Sequence, residues 1–381
     1  MSRTQSQTKL GLAIWFSALA LGFGAQQMSA ATVTYIVGTC TSGTHFSTIQ
    51  AALDASPAPN TVEICPGQYA EQITITKPVT LEGITASNGS MAQIVPPGSM
   101  TPISIDGYNA TAVVQVYVNN VSGGDVNLTN LDVSGNYAGL QGALFIGISY
   151  QGSSGTINQV ITSMQSPPTN GTGWGMWIEG GSSNPSVTVE NSSIHDFNQG
   201  GIFVTGSTDT GAPNLTASIK NNTISNFVSQ TTYDLDLEAG SNATVTGNFL
   251  SGGLCGVCLE GATTGSVSGN TVFGSQYGIL LAVDGPTVTS NNIYGTRVNG
   301  INVLAPSLSA SVVESNTIRT VDPPGSSGTG IELNCNNISS SKVHSNTILD
   351  AYVGYDGAPA GFAGSNTYLG VALDVNSCAS K

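Results

Sequence analysis

Basic residues are scarce. The chain of 381 residues has 8 Lys and Arg against 22 Asp and Glu, and charged side chains make up only 8% of it. A nucleic-acid partner requires basic patches to neutralise phosphates, so this balance excludes one. An anionic polyuronate would also be repelled, unless a cation bridges the two or the few basic residues share one groove. Histidine is nearly absent, occurring at His45, His195 and His344. One Cys-x-x-Cys without a second pair or a nearby His is weak evidence for zinc. The His195-Asp196 dipeptide reads as a surface pair at a turn. Long apolar runs are missing after the first thirty residues, which excludes a further membrane-spanning helix.

Residues 1–31 read as a secretory signal. Arg3 and Lys9 form a positive start, Leu10 to Gly24 is an apolar stretch too short for a span, and Ser29-Ala30-Ala31 offers small residues for cleavage. Removing Arg3 and Lys9 leaves six basic residues against 22 acidic ones, a formal charge of −16. The expected product, residues 32–381, is a secreted or periplasmic monomer with no membrane span. Six cysteines in an exported chain point to disulfides. Cys40 and Cys65 flank the first helix-like segment and are expected to pair, while Cys335 and Cys378 would tie the C-terminal part to the last coils. Cys255-Gly-Val-Cys258 either closes a small ring or remains as two thiols.

Against these absences stands a repeat. Val245-Thr-Gly-Asn248-Phe-Leu250 returns as Val267-Ser-Gly-Asn270-Thr-Val272 and Val288-Thr-Ser-Asn291-Asn-Ile293. It returns again as Val313-Glu-Ser-Asn316-Thr-Ile318 and Val343-His-Ser-Asn346-Thr-Ile348. Between the copies fall Gly256-Val-Cys-Leu259, Gly278-Ile-Leu-Leu281, Gly300-Ile-Asn-Val303 and Gly330-Ile-Glu-Leu333. Periods of this length with β-type spacing predict a solenoid, in which no coil buries its apolar face alone. The Asn-x-Ser/Thr triplets match glycosylation sequons, but their recurrence in coil register favours inward Asn side chains bonding neighbouring coils.

The run Phe46-Ser-Thr-Ile-Gln-Ala-Ala-Leu-Asp-Ala55 places Phe46, Ile49 and Leu53 at helical spacing, with Ser47 as N-cap. It predicts a short cap over the solenoid's open end, at about 44–56. Thr61 to Ile64 reads as a strand, Pro66 to Tyr69 as a turn, and Ile73 to Ile75 and Val79 to Leu81 as the first coil strands. Thr85 to Pro102 reads as a loop leaving the stack, and about 366–381 as a C-terminal wrap. From Phe46 through Tyr69-Ala-Glu71 to Leu81-Glu-Gly83, the chain resembles the start of pectin-lyase-like right-handed parallel β-helix proteins. The Asn-Thr-Ile and Gly-Ile-x-Leu phrases are similar to that superfamily's repeats. The resemblance spans about Phe46 to Leu373. It implies an all-β fold, a right-handed single-stranded parallel β-helix with a short N-terminal capping helix, but no particular reaction. The Asn-Thr-Asp, Gly-Asp-Asp, Gly-His-Gly and Arg-Ile-Lys runs of polygalacturonase-like members are absent. So is the Asp-Phe-Ile-Phe-Gly type of strand of pectinesterase-like members. Pectate-lyase-like members need an Arg or Lys beside calcium. Here Arg297 is nearest in register, about 10 Å along the axis from Glu238 by coil spacing.

Period two then sorts the Gly-Ile-x-Leu strands into inward aliphatics and outward neighbours. The outward triplets include Gly175/Trp177/Glu179, Gly201/Phe203/Thr205, Asp234/Asp236/Glu238 and Gly256/Cys258/Glu260. Asp234, Asp236 and Glu238 are thus expected in a row, with Glu260 beside Glu238. Carboxylates that close raise a pKa or call for a cation, and calcium at Asp236, Glu238 and Glu260 fits the latter. Trp177, Phe203, Tyr233 and Trp174 lie near in register and would provide platforms for sugar rings. The expected function is binding, and glycosidase- or lyase-type cleavage, of a polysaccharide or surface glycan, with Asp236, Glu238, Glu260 and Asp234 as acid/base groups. The alternative is a non-catalytic glycan-binding or structural surface protein, on which the same acids are a solvated strand face.

Overall fold

The computed structural model describes residues 32–105, 110–136, 144–166, 171–206, 214–226, 231–261, 263–320, 328–362 and 364–378. The chain divides into two compact units, Met1–Thr32 and Val33–Lys381. The expected signal segment, 1–31, lies outside the described residues.

The second unit is a solenoid of three parallel sheets, of 13, 12 and 13 strands, each coil adding one short strand to each sheet. One such coil runs Ser241–Thr246, Phe249–Gly252, Cys255–Leu259. The repeated phrases explain this division. Val245, Val267, Val288, Val313 and Val343 form an inward column on the first sheet, and Leu250, Val272, Ile293, Ile318 and Ile348 one on the second. Leu235, Val257, Ile279, Ile301 and Ile331 do the same on the third. All are fully buried, and each stabilises the stack by roughly 1.5–3 kcal/mol.

A buried asparagine ladder sets the register. The Asn248 backbone N–H and side-chain amide both donate to Asn270 Oδ1, at 2.9 Å each. Asn270 does the same to Asn291, Asn291 to Asn316, and Asn316 to Asn346. Each amide also reaches a backbone carbonyl, Ile219 O for Asn248 and a valine O for the others, as Asn291 does to Val267 O at 3.0 Å. The sequon-like triplets are therefore internal hydrogen-bonding positions, as their register implies.

The capping helix is Ile49–Leu53, the one helix among the described residues. Its N-cap is Thr48 rather than Ser47: the Thr48 hydroxyl accepts from Ala51 N. The Glu71 carboxylate supplies further acceptors for the first-turn N–H groups of Ile49 and Gln50, at 2.8 and 3.0 Å. Ile49, Ala52 and Leu53 close the apolar end of the stack. Cys40–Cys65 and Cys335–Cys378 are disulfides, as expected, and Cys255–Cys258 is closed as well. No helix among the described residues is long and apolar enough to cross a membrane.

Three local expectations are corrected. Pro66 to Tyr69 is not only a turn, because Gly67–Ala70 pairs with Ala92–Val95 and opens the second sheet. Ala92–Val95 lies within the segment expected to be a loop, where its Ala92 and Ile94 still point inward. The residues expected as a C-terminal wrap add Thr367–Leu369 to the second sheet and Leu373–Ser377 to the third. In each case a neighbouring coil's free strand edge supplies hydrogen bonds that a local composition reading does not see.

Candidate functional site

The candidate site lies on the outward face of the third sheet, on the strands Tyr233–Leu237 and Cys255–Leu259 and the residue following each. Leu235 and Leu237 point into the core, which turns Asp236 outward. Asp236 stands in register between Phe203 on one coil and Cys258 on the next. Glu238 and Glu260 follow the strand ends, their backbones held by Glu238 N–H to Val204 O and Glu260 N–H to Leu237 O, both 2.8 Å. Ser241 and Thr263 brace the backbone of these two glutamates. The Ser241 hydroxyl donates to Glu238 O at 2.7 Å, and Thr263 Oγ1 lies 2.8 and 2.7 Å from the carbonyls of Glu238 and Glu260. Their small hydroxyl side chains carry no sequence signal that separates them from the chain's many other Ser and Thr.

Asp236, Glu238 and Glu260 converge: each offers a carboxylate oxygen, all within 4.8 Å of one another. Asp236 is 6% exposed, and the two glutamates are half-buried. Burial, and then the charges of Glu238 and Glu260, push the Asp236 carboxyl up to about 8. Glu238 is also raised, by burial and by Glu260, against a backbone hydrogen bond from Ala239 that lowers it. Tyr233 faces the same cluster. Its phenol is raised by burial and by all three carboxylates. At neutral pH Asp236 is therefore held protonated beside Glu238, whose own rise is opposed by the Ala239 hydrogen bond. Among the described residues the ion pairs are His195–Asp196, Lys220–Glu190, Arg319–Asp350 and His344–Glu314, and none reaches this cluster. Arg297 is turned to Gly253 O, at 2.8 Å. His195 and Asp196 form an exposed pair 2.8 Å apart, consistent with a surface role.

Asp234 is not part of the outward row. It occupies the column held by Gly201 on the preceding coil and Gly256 on the following one, where the second and third sheets meet. This column faces inward: a Cβ on Gly256 would lie 2.4 Å from Val272 Cγ1 and 2.7 Å from Gly278 O. Two-residue alternation fails at the corner because the chain turns between sheets there. Asp234 is consequently fully buried, neither carboxyl oxygen has a hydrogen-bond partner, and burial raises its pKa well above the usual range. Burial there disfavours its charged form.

The expected ring platforms are corrected in the same way. Trp177 and Phe203 are each 1% exposed and Trp174 5%. They pack together, with Trp177 and Phe203 stacked at 4.0 Å between centroids and Trp174 edge-on to both. Ile103, Ile105, Ala112, Val114, Leu144 and Ile146 join them in a second apolar cluster outside the third sheet. Ile103–Ile105 turns back antiparallel on Ala110–Asn119, a long strand of the third sheet two coils before the strand of Trp174 and Trp177. Only Tyr233, stacked on Trp174 at 6.3 Å, keeps part of its ring at the surface beside the acids.

The family described as right handed beta helix region matches residues 174–348, a span that contains the acidic cluster and all four of these aromatic residues. The chain carries a right-handed β-helix region. The resemblance carried by its repeat phrases is thus borne out as to fold. Solved β-helices similar to it include the A-module of the mannuronan C-5 epimerase AlgE4 of Azotobacter vinelandii, 16% identical, with a TM-score of 0.47 over 87% of this chain and 95% of that one. The Streptococcus pneumoniae surface adhesin PfbA is 12% identical, with a TM-score of 0.46 over 84% and 86%. The Yersinia enterocolitica family 28 exopolygalacturonase is also 12% identical, with a TM-score of 0.35 over 91% and 78%. No curated protein sequence matches the chain. At these identities the likeness concerns the β-helix alone.

Three carboxylates at this separation suit one hard cation. Two oxygens bound to calcium at about 2.4 Å each lie at most about 4.8 Å apart. Asp236, Glu238 and Glu260 would hold it, and the charge it brings would offset their mutual repulsion.

Proposed function

We propose that this β-helix is an exported protein that binds a polysaccharide along the outward acidic strip of its third sheet and hydrolyses it there. The observation that carries this reading is the pairing, within 4.8 Å, of an Asp236 carboxyl raised to about 8 with the carboxylates of Glu238 and Glu260. Asp236 keeps a proton at neutral pH and can donate it to a glycosidic oxygen. Glu238 or Glu260 serves as nucleophile, since a separation near 5 Å belongs to retention and one of about 6.5–9.5 Å to inversion. Tyr233 offers a partly exposed ring for the sugar face. A lyase route would require a base such as Arg or Lys, and Arg297 is engaged elsewhere.

The decisive assay measures reducing ends and unsaturated products over a panel of polysaccharides, with and without calcium. New reducing ends without unsaturated products are expected, and at least about 100-fold less of them from Asp236→Asn with Glu238→Gln. Cleavage that survives this double substitution would remove the residue assignment. A second reading, non-catalytic glycan binding, rests on a specific observation: Asp236 is 6% exposed, and three of the four nearby rings are buried. Retained glycan binding with no product from any polymer would favour it.

A further inference from the structure

The second sheet carries an outward face that the acidic strip does not explain. On three successive coils it displays one aromatic ring each: Phe249, Phe273 and Tyr294. Phe249 and Phe273, at 37% and 39% exposure, are the two exposed phenylalanines among the described residues. The Phe273 and Tyr294 rings are 5.0 Å apart between centroids, tilted by 36°, and so form a short ladder along the solenoid axis. Gly274 and Gly295, both with positive φ, follow these two rings and leave their outer edge free of side chains. At Gly295 a Cβ would lie 3.0 Å from the Phe273 ring, so the missing side chain is what lets that ring lie flat over the turn.

Beside the Phe273–Tyr294 column, and continuing in register from Phe249, run small polar side chains, Thr271, Asn292 and Thr317, half-buried or exposed. On a chain with 22 acidic residues, no outward position of the strands Phe249–Gly252, Thr271–Phe273, Asn292–Thr296 and Thr317–Thr320 is Asp or Glu. Arg319, the next residue in register after Tyr294, has its charge matched by Asp350 at 3.1 Å. The face is thus electrically neutral on a strongly acidic molecule.

We propose that this face binds an uncharged polysaccharide, its sugar rings lying on Phe249, Phe273 and Tyr294 and its hydroxyls bonding the Thr271–Asn292–Thr317 column. Aromatic faces take up the C–H side of a sugar ring, and hydroxyl and amide groups match its polar edge. A neutral chain suffers none of the repulsion that the rest of the surface imposes on polyanions. The inference stands apart from the chemistry of the acidic cluster, which lies on a different sheet.

Electrophoresis of the full chain through gels containing galactomannan, hydroxyethyl cellulose or dextran, with polygalacturonate as the anionic control, tests it. Retardation by at least one neutral polymer and none by polygalacturonate is expected. Phe273→Ala with Tyr294→Ala should weaken that retardation about tenfold or more, with an unchanged melting temperature, because both rings lie on the surface. Asp236→Asn with Glu238→Gln should leave the retardation intact, which separates this face from the acidic site. Equal retardation of the Phe273/Tyr294 variant, or no retardation of the wild type by any neutral polymer, overturns the proposal. So does sedimentation showing that the ring substitutions convert a wild-type dimer to monomer, since a second copy would then cover the face.

Discussion

Asn291→Ala is expected to destabilise the β-helix by about 3 kcal/mol, the effect of removing several buried hydrogen bonds at about 1 kcal/mol each. Its side chain accepts from the Asn270 N–H and amide and donates to Val267 O and Asn316 Oδ1, all at 2.9–3.0 Å, at 1% exposure. Alanine would leave the buried Asn270 N–H without an acceptor and open a gap that water cannot reach. Asn292→Ala, on the next residue, exposed and outward, should change stability by less than about 0.5 kcal/mol. Calorimetric melts of the two variants give the comparison. Because a solenoid's stability is a sum over neighbouring coils, the loss should also show as hydrogen exchange concentrated in the coils around residue 291. Equal melting of the two variants would mean that the ladder contributes nothing to register.

Asp236→Asn is expected to do the opposite, stabilising the protein at neutral pH while removing the proposed chemistry. The folded chain holds the Asp236 proton up to about pH 8, against an ordinary value of 3.8. Its contribution is therefore fully present below about pH 4 and is lost as pH rises through 8. Glu238 and the buried Asp234 are raised as well and act in the same direction. Melting temperature should accordingly fall between pH 5 and pH 8.5. An amide at position 236 needs no proton to be neutral, so the substitution should recover roughly 2–4 kcal/mol at pH 7 and flatten the profile. Calcium added at pH 8 should raise the wild-type melting temperature and leave Asp236→Asn with Glu238→Gln unmoved. A wild type more stable at pH 8.5 than at pH 5 would contradict the raised carboxyls.

The three-sheet architecture was legible because each repeat phrase holds one inward aliphatic at each sheet, as Val267, Val272 and Ile279 do in a single coil. The asparagine ladder was legible for the same reason: recurrence in register says more than a three-residue sequon. The meeting of Asp236, Glu238 and Glu260 followed from strand alternation and coil stacking. Asp234 did not, because alternation presumes a straight strand and the chain bends at the Gly201–Asp234–Gly256 corner. Trp174, Trp177 and Phe203 are buried in one cluster with Ile105, Ala112, Val114 and Ile146, residues of earlier coils whose packing on these rings no local alternation rule expresses. The short strand Ala92–Val95 was missed likewise, since its pairing partner lies a whole coil away.

The most direct measurement follows the side-chain carboxyl carbon of Asp236 by 13C NMR through a pH titration, assigned by its loss in Asp236→Asn. A midpoint near 8, moving to lower pH when calcium is added, is expected. A midpoint near 3.8, unaffected by calcium, would show an ordinary solvated aspartate and contradict the proposed site.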